Sequence, residues 1–81
     1  MTVFEGKRSL SVTPNDSADL GFIGHLWIND SGEVDIKVQL ELDDSADGAV
    51  YTVNGPCPFP MLVKKVFSTG TTATNIRVIQ R

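Results

Sequence analysis

The chain has 81 residues with seven Lys or Arg, ten Asp or Glu, one His and one Cys, for a net charge of −3. A single cysteine excludes an intrachain disulfide, and a single histidine leaves few of the usual ligands for a structural zinc. One domain of this size buries only about 60–65% of its unfolded surface, so oligomerisation is the remaining route to a larger core.

From the N-terminus, MTVFEGKRSLSV has no apolar h-region and runs into the polar TPNDSAD, which argues against a signal peptide. The chain is read as one β domain over 1–81, with residues 1–8 as a candidate N-terminal arm. RSLSV reads as a strand closed by Thr13-Pro14-Asn15-Asp16. LGFIGHLWI, residues 20–28, is a more buried strand in which Gly21 and Gly24 mark a bulge or a close backbone approach. Its apolar stretch is too short to span a bilayer. Asn29-Asp30-Ser31-Gly32 then reads as a hairpin turn.

EVDIKVQLEL, residues 33–42, alternates without exception: Val34, Ile36, Val38, Leu40 and Leu42 against Glu33, Asp35, Lys37, Gln39 and Glu41. Period two predicts a strand with one dry face and one wet face. DDSADG is the next turn and AVYTV a short strand. NGPCPFP carries three prolines in five residues and is expected to cross between strands without joining a ladder. MLVKKVF and NIRVIQ are the last strands, separated by the uncharged run from Ser68 to Asn75. The sum is an all-β chain: a small antiparallel β-sandwich or barrel of about six short strands.

Catalytic chemistry finds no foothold. Gly70 stands alone with no lysine after it, so the run is not a phosphate loop. A nucleophilic Ser or Thr needs a base, and the only imidazole, His25, lies in an apolar strand. Cys57 sits between two prolines, with Lys64 the nearest base in sequence. Asp43, Ser45, Asp47 and Gly48 imitate half of a calcium loop, but its twelfth position holds Asn54 where a bidentate glutamate is needed, so an acidic turn is preferred. Glu33, Asp35 and Glu41 share one strand's wet face rather than facing one another across a cleft. The expectation is no enzyme, no cofactor and no metal.

Charge is unevenly placed. Nine acids and the single base Lys37 lie between Ser9 and Asp47; beyond Asp47 there are no acids, and Lys64, Lys65, Arg77 and Arg81 are all basic. Either neighbouring strands pair with complementary charge, or acidic and basic faces meet between subunits. Four scattered bases make a weak footprint for nucleic acid.

Pro60, then Leu62-Val63-Lys64-Lys65-Val66, then Thr69-Gly70-Thr71-Thr72-Ala73-Thr74-Asn75-Ile76, resembles the C-terminal pattern of small phage and gene-transfer-agent virion proteins of the head-spike base family. Members tend to end in a proline, a VKRV strand, a TGTTAT turn and a last apolar strand. Leu26-Trp27-Ile28-Asn29-Asp30-Ser31-Gly32-Glu33-Val34-Asp35-Ile36 is similar to that family's earlier hairpin. The likeness covers about residues 22–80 and is specific over 60–76; DDSADG and Pro-Cys-Pro lie outside the pattern.

The resemblance implies a non-enzymatic virion structural protein, made in the host cytoplasm. It would be a capsid decoration, cement or head-spike base subunit that contacts its own copies and other virion proteins, such as the major capsid protein or a spike protein. No nucleic-acid or membrane partner is expected. The contact residues would be Thr69, Gly70, Thr71, Thr72, Thr74 and Asn75, with Lys64, Lys65, Arg77 and Arg81 supplying complementary charge. The plainer alternative is a turn whose hydroxyls satisfy their own backbone. On the first reading, aspartate at Thr71 and Thr72 impairs assembly and spares the fold. Two other functions stay open: a carbohydrate-binding β-module of a phage tail or spike, using Trp27, Tyr51 and acidic loops, and a small tail or neck adaptor. Trp27 is itself read as a core residue.

Overall fold

The computed structural model describes residues 8–42 and 47–80 of the chain. These residues are all-β and contain no helix; four strands, β1 (Arg8–Val12), β2 (Gly24–Leu40), β3 (Ala49–Val66) and β4 (Ile76–Gln80), form one sheet in the order β1-β4-β2-β3. Along each ladder the partner's number falls as the strand's own rises, from Lys37–Val50 to Glu33–Asn54 for example, so neighbours run antiparallel. Of the arm expected over 1–8 only Arg8 is described, and it opens β1. Asp43, Ser45 and Arg81 also lie outside the described residues.

The alternation after Glu33 does what period two requires. Ile36 and Val38 are fully buried, Val34 and Leu40 pack against the same core, and Glu33 is exposed. The pattern fails at its end, where Gln39 is 6% exposed and Leu42, past the strand, is 88% exposed.

The hairpin expected at Asn29–Gly32 is not formed. β2 runs straight through those residues. Ile28 faces Cys57 and Gly32 faces Gly55, so β2 takes four steps where β3 takes two, and the excess is absorbed as a bulge. Gly32 adopts φ +86° there. A glycine at positive φ serves a bulge as readily as a reversal. Both flanks find partners along β3, whose 18 residues are long enough for the two.

NGPCPFP likewise joins the sheet rather than crossing it. Cys57, Pro58 and Phe59 in β3 face Ile28, Trp27 and Leu26. Prolines spaced two apart lose their N–H groups all along one side of the strand, and β3 is an edge strand, where that loss is tolerated. Phe59 between them points inward, at 3% exposure. The Gly55–Pro56 peptide is cis.

Both long strands curl. Val63 lies opposite Gly24 near one end of β2 and opposite Leu40 at the other, and the Glu41 N–H donates to the Leu62 carbonyl at 3.0 Å. The concave side holds Leu26, Ile28, Ile36, Val38, Val63, Val66, Ile76 and Val78, all essentially shielded from water. Each such side chain contributes about 1.5–3 kcal/mol by burial. Phe67 is buried apart from this cluster, with the ammonium groups of Lys37 and Lys65 at 5.1 and 5.2 Å from its ring centre. No helix among the described residues is long and apolar enough to cross a membrane.

Candidate functional site

The run from Ser68 to Asn75 is not the tip of a hairpin. Val66, at the end of β3, faces Val38, and Ile76, at the start of β4, faces Ile28. Ten steps separate 28 from 38 and ten separate 66 from 76. The run therefore covers the same ten-step stretch of β2 from end to end, but unevenly: Phe67 and Thr71 both meet Lys37, and Thr72 meets Asp35. MLVKKVF and NIRVIQ do not pair with each other; each pairs with β2.

Gly70, at φ +93°, turns the run beside the Lys37 side chain, and threonine hydroxyls take the place of ladder carbonyls at two β2 N–H groups. The Lys37 N–H donates to Thr71 Oγ1 at 2.9 Å, and the Asp35 N–H donates to Thr72 Oγ1 at 2.8 Å. In return the Thr72 N–H donates to the Asp35 carbonyl at 2.8 Å, and the Phe67 N–H to the Lys37 carbonyl at 2.8 Å. Ala73, 3% exposed, turns inward between them.

Two aspartates hold the ends of the run. Asp16 accepts the Thr69 N–H at 2.9 Å and the Thr69 hydroxyl at 2.6 Å. Asp30, in the β2 bulge, accepts the Thr74 N–H and hydroxyl on Oδ2 and the Asn75 N–H on Oδ1. A third, Asp35, takes the Thr52 hydroxyl of β3 at 2.7 Å. The Thr69 hydroxyl, followed by its N–H, holds the Asp16 carboxyl below its usual range, and the Thr74 N–H does the same for Asp30. Hydrogen bonds to the charged form favour it.

All six contact candidates thus lie on one strip. Thr69, Gly70, Thr72, Thr74 and Asn75 are exposed and Thr71 is half-buried. The threonine hydroxyls serve the chain's own backbone and carboxylates, as the plainer reading has it, on residues that are exposed at every position but Thr71. The expected harmlessness of aspartate at Thr71 and Thr72 is revised: those hydroxyls accept β2 N–H groups, and new carboxylates would stand beside Asp35.

Among the described residues, charge is not paired along neighbouring strands within the chain. Glu33, Asp35 and Lys37 face Asn54, Thr52 and Val50, so no ladder of opposite charges forms between β2 and β3. Lys65 Nζ lies 3.9 Å from Asp19 Oδ1 in the loop after β1. Arg77 is exposed and donates to the Ser9 hydroxyl at 2.8 Å and the Ser9 carbonyl at 3.3 Å. Lys64 is half-buried, and its carbonyl accepts the Leu20 N–H at 2.7 Å.

The aromatic candidates are exchanged in role. Trp27, expected in the core, is 37% exposed on the outer face between Pro58 and Arg77. Tyr51 packs edge-on against Phe59 at 5.2 Å and joins the core margin, so the two rings make no shared platform. His25 is half-buried opposite Ile79, and Cys57 is a half-buried free thiol opposite Ile28. Among the described residues no group of three His, Cys, Asp or Glu is placed to hold a metal; Asp47 is exposed. Sequence reasoning missed Asp16, Asp30 and Asp35 as partners of the threonines. It took the first two for turn formers, and their unspent carboxylates were the one available signal.

No protein-family model matches the chain, and no curated protein matches it.

Proposed function

We propose that the chain is a non-enzymatic structural subunit of a virus particle, a capsid decoration, cement or head-spike base protein acting through symmetric contacts. The observation that carries this reading is the largely exposed strip from Thr69 to Asn75, which has no charged side chain of its own and is tied at both ends by the carboxylates of Asp16 and Asp30. A surface already ordered loses little conformational entropy when a partner covers it. Its own side chains add no like charge where copies meet around a symmetry axis. The resemblance over residues 60–76 to head-spike base proteins points the same way, toward its own copies and other virion proteins as partners and the virion as its location. It needs no metal or cofactor.

The curl of the long strands favours a small barrel or sandwich. Taken by halves, β2 and β3 with β1 and β4 supply six short segments, and Val63 links Gly24 to Leu40. Co-purification with particles, followed by cryo-EM localisation, tests the function. A stable monomer that binds no virion component would overturn it.

Trp27, standing outward beside Arg77, favours a second reading, a carbohydrate-binding module of a tail or spike. Glycan-array binding by the isolated chain, without particle binding, would select it. A density at the tail or neck would select the adaptor instead.

A further inference from the structure

The two edges of the sheet differ. The β3 edge carries Pro56, Pro58 and Pro60, whose missing donors and exposed rings guard it against pairing. The β1 edge has no such guard. Its register with β4 advances evenly from Arg8–Gln80 to Val12–Ile76, without a bulge, and its outer side has no strand partner among the described residues. At its midpoint Leu10 is 44% exposed, while its ladder partner Val78 is 1% and Val12 8% exposed. Leu10 is covered by β4 on one side only.

We propose that a second copy of this chain pairs its own β1 antiparallel to this edge, about a twofold axis at Leu10. In that register Leu10 meets its counterpart, Ser9 meets the counterpart of Ser11, and Arg8 that of Val12. The patch is self-complementary, as a twofold contact must be. At the centre of the contact stand Ser9, Leu10 and Ser11, none of them charged, so no like charges meet there. Pairing joins the two sheets into one of eight strands and covers both leucines. The short strand buries less than the roughly 800 Å² per partner of a standard interface, so the contact depends on concentration.

This inference rests on the reading of the chain as a symmetric subunit and adds to the threonine strip a second contact between copies. Sedimentation velocity over a concentration series, on the full chain, tests it. Leu10→Lys and Leu10→Glu should each weaken self-association roughly tenfold or more, and their equimolar mixture should restore it by placing opposite charges at the axis. Circular dichroism checks that both stay folded. As a second arm, Leu10→Cys with Cys57→Ser should form a disulfide-linked dimer on oxidation. Self-association unmoved by either charge, with no cross-link, overturns the β1 contact and leaves the subunit reading standing. A wild-type monomer at every concentration that still enters particles does the same. A monomer that enters no particle overturns both.

Discussion

Asp30 holds Thr74 by two groups at one oxygen: Oδ2 accepts the Thr74 N–H at 2.9 Å and its hydroxyl at 3.1 Å, while Oδ1 takes the Asn75 N–H at 2.9 Å. The carboxylate sits in the bulge of β2, where the strand steps out of register with β3, and pins the neighbouring edge at that point. Asp30→Ala leaves three donors to water and should cost about 1 kcal/mol, discounted for solvent access. Asp30→Asn keeps one acceptor oxygen and should lose less. Urea midpoints at unchanged m-value check the order.

Acid should loosen the same strip. The folded pKa values of Asp16 and Asp30 lie below the ordinary 3.8, so the unfolded chain binds protons first as pH falls. Their contribution is complete above the unfolded value and is lost as pH drops through the lower folded ones. Urea midpoints measured from about pH 5 to about pH 2 should fall for the wild type and fall less for Asp16→Asn with Asp30→Asn. Equal slopes would refute this role.

The two central threonines should differ. Thr71 Oγ1 accepts the half-buried Lys37 N–H, so Thr71→Val strands a donor away from water at about 1–2 kcal/mol. Thr72 Oγ1 accepts the Asp35 N–H at an exposed position, where water replaces it, and Thr72→Val should cost less. Serine at either site should be nearly silent. Thermal melts of the four variants give the ranking.

Glycines give a paired test of backbone packing. A Cβ on Gly24 would fall on the Ile79 carbonyl oxygen and meet Val78, in the β2–β4 ladder. Gly24→Ala should destabilise by about 1–3 kcal/mol or prevent folding. Gly21 has nothing within 4 Å of such a Cβ, and Gly21→Ala should stay within about 0.5 kcal/mol of wild type.

Much of the sheet was legible because period two is a local property: Ile36 and Val38 went in and Glu33 stayed out. What the chain does at a glycine or a proline is not local. Gly32 permits a reversal and a bulge alike, and only the length of β3 decides between them. Prolines forbid a central strand, but whether a strand is central depends on the whole sheet order. The threonine strip stood out by composition, yet its partners lie 53 residues away at Asp16, 44 at Asp30 and 37 at Asp35. Nothing in the run itself points to them. Trp27 was misplaced for the same reason: a nearly continuous apolar stretch does not say which side faces out.

Cryo-EM of particles assembled in the presence of the chain tests the proposed virion role most directly. The expected result is symmetric density for the four-stranded sheet on the particle, with Thr69–Asn75 against a neighbouring subunit. Particles that lack the chain, together with a stable monomer in solution, would contradict that proposal.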